Sequence, residues 1–136
     1  MRCNWGVLGA GFIANRAMIP AIQNSSQARV LALASRDQQR GQETARRYSI
    51  ERVYTDYEAL LADPDVQVVY IALPNSLHRE WTIRAAHAGK HILCEKPLAL
   101  NAAESDEMIS TCHSLKVLLM EAVMYRFHPE CRRYSR

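Results

Sequence analysis

Gly9-Ala10-Gly11-Phe12-Ile13-Ala14 reads as G-x-G-x-x-A and follows directly on the apolar stretch Trp5 to Leu8. Gly9 permits a tight turn, Gly11 lets the backbone come close to a pyrophosphate, and Ala14 keeps the next helix near a sheet. The start of that helix offers free N–H groups and a partial positive charge to an anion. A lone glycine pattern is weak. Here strand, turn, helix and next strand succeed one another within about thirty residues, the context in which the pattern carries meaning. Dinucleotide binding is the chemistry it predicts, with Gly9, Ala10, Gly11, Phe12 and Ile13 as the contact loop; a purely structural turn is the alternative.

The end of the second apolar run selects among dinucleotides. Asp or Glu there would hold a ribose 2′-hydroxyl, but this chain has Ser35-Arg36, with Arg40 one helical turn on. A hydroxyl donor and an arginine fork suit a 2′-phosphate, and Arg36 can also lie flat on an adenine. Asp37 points the other way unless it caps the following helix. NADP(H) is therefore expected in preference to NAD(H), which stays possible; the bland reading leaves Arg36 and Arg40 merely solvated.

Two more segments fall just past predicted strands, where a parallel sheet places function. They are Leu73-Pro74-Asn75-Ser76-Leu77-His78 and Cys94-Glu95-Lys96-Pro97. An X-Pro bond is cis at low cost, which would make a rigid turn presenting Lys96. Taken alone, Lys96 reads as an ordinary surface lysine.

The elements that must position these residues alternate between strand and helix. Strands are predicted at Trp5 to Leu8, Val30 to Ala34, Val53 to Tyr54, Val66 to Leu73, His91 to Cys94 and Val117 to Met120. A helix runs from the glycine loop to about Gln23, with Pro20 kinking it or starting a second segment. Others cover Arg40 to Tyr48, a segment through Leu61 opened by the capping box Thr55-Asp56-Tyr57-Glu58, Leu77 to Ala88 stopped by Gly89, and Asn101 to Ser114. This alternation predicts an α/β fold, a Rossmann-type doubly wound parallel sheet with helices on both faces.

Composition agrees with one ordinary domain: 136 residues, 49% hydrophobic and 23% charged. The charge of +3, from 17 Lys and Arg against 14 Asp and Glu, is spread along the chain. Without a basic stripe, nucleic acid is not an expected partner. The longest apolar stretch is about half of a membrane span, so no membrane is expected. Cys3, Cys94, Cys112 and Cys131 lack metal-like spacing and read as free thiols of a reducing cytosol; no metal is expected. Arg2 and the run from Trp5 to Ala14 imitate a signal peptide, but two glycines and the lack of an A-x-A site argue against one. A cytoplasmic protein is the expectation.

The glycine loop, Pro74-Asn75 with His78, the run Ala88-Gly89-Lys90-His91-Ile92-Leu93-Cys94-Glu95-Lys96-Pro97, and Met120-Glu121-Ala122-Val123-Met124-Tyr125-Arg126-Phe127-His128-Pro129 together resemble the glucose–fructose oxidoreductase / inositol dehydrogenase / MocA family. Within it the chain looks most like the NADP-dependent sugar dehydrogenases and dihydrodiol dehydrogenases. The resemblance implies a catalytic Lys96 beside the nicotinamide ribose, with Lys96-Pro97 cis, easing the loss of a proton from a sugar or diol hydroxyl as hydride leaves. It also implies that Leu73, Pro74, Asn75, His78 and Glu95 line the nicotinamide end, His78 as a wall and not as the base.

It further implies that residues 1–122 are the NAD(P)-binding domain and that 123–136 begin the connection to a C-terminal, mostly antiparallel α+β domain absent from this chain. That domain would supply the usual catalytic histidine, most of the substrate pocket and the contacts of a homo-oligomer. This chain alone would then bind cofactor with little or no turnover. Val123, Met124, Tyr125 and Phe127 are expected to form an exposed apolar patch. A stand-alone dinucleotide-binding redox sensor or partner subunit is the alternative function, and a nucleotide-responsive nucleic-acid binder a remote one.

Overall fold

Six short apolar runs pair into one parallel sheet in the order β3-β2-β1-β4-β5-β6. The computed structural model describes residues 1–133, the side chain of Arg132 excepted, so the last three residues of the expected connecting segment lie outside the described residues. The strands are β1 Cys3–Leu8, β2 Ala28–Ala34, β3 Arg52–Tyr54, β4 Val68–Ile71, β5 His91–Glu95 and β6 Leu119–Ala122. From β1 the chain winds outward to β3, then returns to β1 and winds outward the other way to β6. This is the Rossmann order, and it opens a crevice where the direction reverses, between the carboxyl ends of β1 and β4. The doubly wound sheet expected from the alternating pattern is the one built.

Helices α1 Ile19–Gln23, α2 Gln38–Tyr48, α3 Tyr57–Leu61, α4 His78–His87, α5 Ala102–Ser114 and α6 Pro129–Arg133 connect and follow the strands. Neighbouring strand residues point to opposite faces, so β1 and β4 feed two cores at once. Leu8, Val69 and Ile71 join Leu60, Ala85 and Met108 of α3, α4 and α5 on one face. Val7 and Tyr70 join Ile19 and Ala45 of α1 and α2 on the other. Burial on both sides explains why these strands read as continuous apolar runs. Each fully buried Leu, Ile or Val contributes about 1.5–3 kcal/mol relative to exposure.

Several boundaries depart from the sequence reading, each for a local reason. The helix after the glycine loop passes through a π-helical turn, Ala14–Met18, before α1. Pro20 has no N–H to give the carbonyl four residues back, and the turn before it widens so that the Ile19 amide donates to Ala14 instead. The cap of α3 is Asp56, whose carboxylate accepts from the Glu58 amide, not Thr55. Leu73 lies beyond the β4 ladder, since its carbonyl faces His78 and Pro74 offers no N–H to continue pairing. β6 starts two residues late because the residues after α5 finish the helix: Lys116 is left-handed at φ 57° and the Val117 amide donates to Cys112. Among the described residues no helix is long and apolar enough to cross a membrane.

Candidate functional site

The glycine loop sits at the switch point, and its two glycines are required for different reasons. Gly9 has φ +100°, and a Cβ there would lie 2.7 Å from the Ala72 carbonyl oxygen, so the turn itself demands glycine. Its amide donates to Ala34 across 2.9 Å, pinning the loop to the end of β2. Gly11 is the opposite case: a Cβ would meet no protein atom within 4 Å. Protein packing does not need glycine at this position, whereas a diphosphate lying against the backbone would; the loop fits a dinucleotide. Asn15 braces the loop, donating from Nδ2 to the Ala10 and Gly11 carbonyls at 2.9 and 3.0 Å. Its own Oδ1 accepts from the Thr44 hydroxyl and its carbonyl from Tyr48, which rivets loop to α2.

Between loop and α2 lies a cleft of about 350 Å³. Ala10, Gly11 and Phe12 form one wall, and Arg40, Glu43 and Arg47 the other. Phe12 is 70% exposed beside it, with the Arg16 guanidinium 5.5 Å from its ring centre; Ile13 is exposed too. Arg40, expected as a second cation beside Arg36, shares its cleft with the glycine loop instead. Arg47 was missed by sequence reasoning, although 40, 43 or 44, and 47 follow the spacing of one helix face.

Arg36 is exposed but occupies a different cleft, of about 390 Å³, with Tyr57, Leu77 and Trp81. Ser35 does not present its hydroxyl as expected. It is buried, with its Cβ 3.1 Å from where a Gly41 Cβ would sit, and its Oγ donates to the Asp37 carbonyl. Asp37 is the α2 cap, accepting from the Arg40 amide at 3.1 Å, which accounts for its presence beside Arg36.

The loops after β4 and β5 complete the edge. Pro74 and Asn75 are exposed just past β4, while Leu73 packs beneath Gly9. The Lys96-Pro97 bond is cis and Lys96 is exposed, beside an apolar cleft of about 630 Å³ that includes Glu95, Val123, Met124 and Tyr125. Tyr70, fully buried, donates to Glu95 Oε2 at 2.5 Å, and Glu121 accepts from the Leu98 amide at 2.7 Å, so carboxylates grip the turn on both sides. Burial, then the Glu95 carboxylate, hold the Tyr70 phenol far above its usual range. His78 departs from the expected pocket wall: it is fully buried, and both ring nitrogens face backbone carbonyls, those of Pro97 and Leu73. Burial pushes the neighbouring Cys94 thiol up to about 12, too high for a nucleophile at neutral pH. No group of three His, Cys, Asp or Glu among the described residues is placed to hold a metal ion.

The profile of one family, the GFO/IDH/MocA group described as an oxidoreductase family with an NAD-binding Rossmann fold, matches residues 3–123. The chain belongs to this family.

As a GFO/IDH/MocA domain it is similar to proteins of named activity. It is 46% identical over 125 residues to the D-xylose 1-dehydrogenase (NADP(+)) 2 of Haloferax volcanii, spanning 92% of this chain and 38% of that protein. It is 42% identical to the trans-1,2-dihydrobenzene-1,2-diol dehydrogenase of Mus musculus, spanning 95% and 39%. A 3-ketoreductase from Actinomadura kijaniata, crystallised with NADP, superposes with a TM-score of 0.93 at 37% identity, over 98% of this chain and 42% of that one. The chain thus spans about two fifths of the length of these relatives. Within that span the GFO/IDH/MocA domain brings the glycine loop, Arg40, Asn75 and Lys96 to one edge of the sheet, and leaves Ser35 and His78 inside it.

Proposed function

We propose that this GFO/IDH/MocA domain binds NADP(H) and serves an oxidoreductase that moves hydride between nicotinamide and a hydroxyl or carbonyl carbon of a sugar or diol. The observation that carries the reading is the open backbone at Gly11, at the switch point of the sheet and in one cleft with Arg40. The amides at the helix start and the glycine loop would hold the diphosphate. Arg40, with Arg36 on the other side of the β2 end, would hold the 2′-phosphate, and charge-assisted bonds of this kind are about twice as strong as neutral ones. Asn75 and Lys96 would face the nicotinamide end.

When bound, NADP(H) supplies the hydride acceptor or donor. Within this domain, Lys96 would act at the reacting centre. Its ammonium would hold the substrate oxygen and stabilise the alkoxide charge left there once the hydroxyl proton has passed to a base or to water, the state from which the adjoining carbon gives up hydride. In reduction the same ammonium would steady the alkoxide charge formed on that oxygen until it takes up a proton. A D-xylose dehydrogenase named for NADP(+) and a dihydrobenzenediol dehydrogenase among the relatives support this reading over a sensor without chemistry.

Calorimetric titration of the chain with NADPH, and separately with NADH, tests it. Binding of NADPH at least about tenfold tighter, a difference of about 1.4 kcal/mol, is the expected result. Preference for NADH would overturn the 2′-phosphate reading. Binding of neither would overturn the cofactor site itself. In a full-length protein carrying this domain, Lys96→Ala should reduce turnover far more than cofactor affinity; equal losses would make Lys96 a cofactor clamp.

A further inference from the structure

His78 opens α4 yet points its ring away from the helix's own backbone, toward two loops that are 24 residues apart in sequence, Leu73 and Pro97. Nδ1 lies 2.8 Å from the Pro97 carbonyl oxygen and Nε2 lies 2.8 Å from that of Leu73. The β4–β5 ladder ends at the pair Ile71 and Cys94. Beyond it the two chains part, and the imidazole bridges them where backbone pairing stops. Both partners are acceptors, so the ring donates one bond as neutral imidazole and both as imidazolium. Each ring nitrogen is thereby committed to a different loop.

What the bridge joins is the reactive end of the site. Leu73 stands two residues before Asn75, and Pro97 directly follows Lys96. Arg36 and Arg40 line clefts that include neither Leu73 nor His78 nor Pro97. We propose that His78 is a positioning residue, setting the distance between the Asn75 loop and the Lys96 turn, and so the shape of the pocket for the nicotinamide half of the cofactor. This rests on the NADP(H) reading above.

The reading separates the two halves of the cofactor, and so does its test. NADPH is titrated in parallel with 2′,5′-ADP, which carries the adenosine and 2′-phosphate but no nicotinamide. His78→Leu fills similar space without donors. His78→Gln keeps a donor near the Nε2 position, and His78→Asn keeps one near Nδ1. Expected is a loss of about tenfold in NADPH affinity for His78→Leu, smaller losses for the two amides, and 2′,5′-ADP affinity within about twofold of the parent throughout. Parallel loss of both ligands, unchanged NADPH affinity in His78→Leu, or variants too unfolded to bind 2′,5′-ADP would each make His78 a purely structural residue and overturn the proposal. A parent chain that binds neither ligand would instead overturn the NADP(H) reading, and this inference with it.

Discussion

Tyr70, at the centre of the sheet, donates its phenol hydrogen to Glu95 Oε2 across 2.5 Å, linking β4 to the residue immediately before Lys96. The two lie 25 positions apart in sequence, and β4 and β5 run side by side so that the phenol can reach along the sheet to the turn. Tyr70→Phe keeps the ring and removes the bond. Stability should fall by about 1–2 kcal/mol, the usual cost of leaving a part-buried carboxylate short of a donor. Urea unfolding of the two proteins reads this directly, and an unchanged midpoint would show that Glu95 finds another donor at no cost.

Gly9 and Gly11 separate folding from binding. Gly9→Ala places a methyl group against the Ala72 carbonyl in a backbone conformation foreign to alanine, and should cost about 2–4 kcal/mol. Gly11→Ala meets open space, so its stability should stay within about 0.5 kcal/mol. Its NADPH affinity should nonetheless drop at least about tenfold, because the methyl group stands where the diphosphate approaches. Thermal melting paired with titration distinguishes the two; tight NADPH binding by Gly11→Ala would remove the diphosphate from this loop.

Arg36 and Arg40 line separate clefts at the end of β2, and each should contribute on its own to reading the 2′-phosphate. Arg36→Ala and Arg40→Ala should each weaken NADPH by about tenfold and NADH by less than about threefold. Arg47→Ala, two turns along α2, should have the smaller effect. Equal losses for both cofactors would assign these arginines to the adenosine or the diphosphate.

Acid should loosen the molecule through Asp63. Burial by itself would raise this carboxyl, but the Arg52 guanidinium, the Asp65 amide and the Tyr54 hydroxyl outweigh it and hold the group below its ordinary value. The folded chain therefore takes up this proton less readily than the unfolded chain. Its stabilising contribution is complete above about pH 4 and is lost as pH falls through the depressed folded value. Asp63→Asn should lower stability at pH 7 and flatten its decline between pH 5 and pH 2, as measured by urea midpoints. An equally steep decline in the variant would place the acid sensitivity elsewhere.

Leu118, Met120, Met124, Tyr125 and Phe127 are each half or more exposed around β6 and the turn after it, with Val123 half-buried among them. A contiguous apolar patch of this kind drives association. The chain should show an average mass by light scattering that rises with concentration, and Met124→Lys with Phe127→Lys should suppress the rise. A constant monomer mass at high concentration would contradict this.

Local chemistry explains what could be read without a structure. The six apolar runs, the glycine motif, the caps at Asp37 and Asn101 and the stop at Gly89 depend on residues within a few positions of one another, and each is found, with β4 shorter than its apolar run and β6 two residues later. Strand alternation with helices leaves a doubly wound parallel sheet as the arrangement that buries both faces. Residue order alone therefore marks the family, the sheet and the edge along which Gly11, Arg40, Asn75 and Lys96 gather. What it could not determine were the pairings between distant residues. Ser35 looked available until Gly41 and Asp37 closed over it, and His78 looked like a wall until Leu73 and Pro97 claimed both nitrogens. Arg47 enters the cleft, and Asn15 ties its loop to Thr44, because α2 folds back against the glycine loop. A polar side chain's partner is chosen by three-dimensional proximity under the cost of leaving a buried donor or acceptor unmet, and that choice exists only once the sheet has brought the loops together.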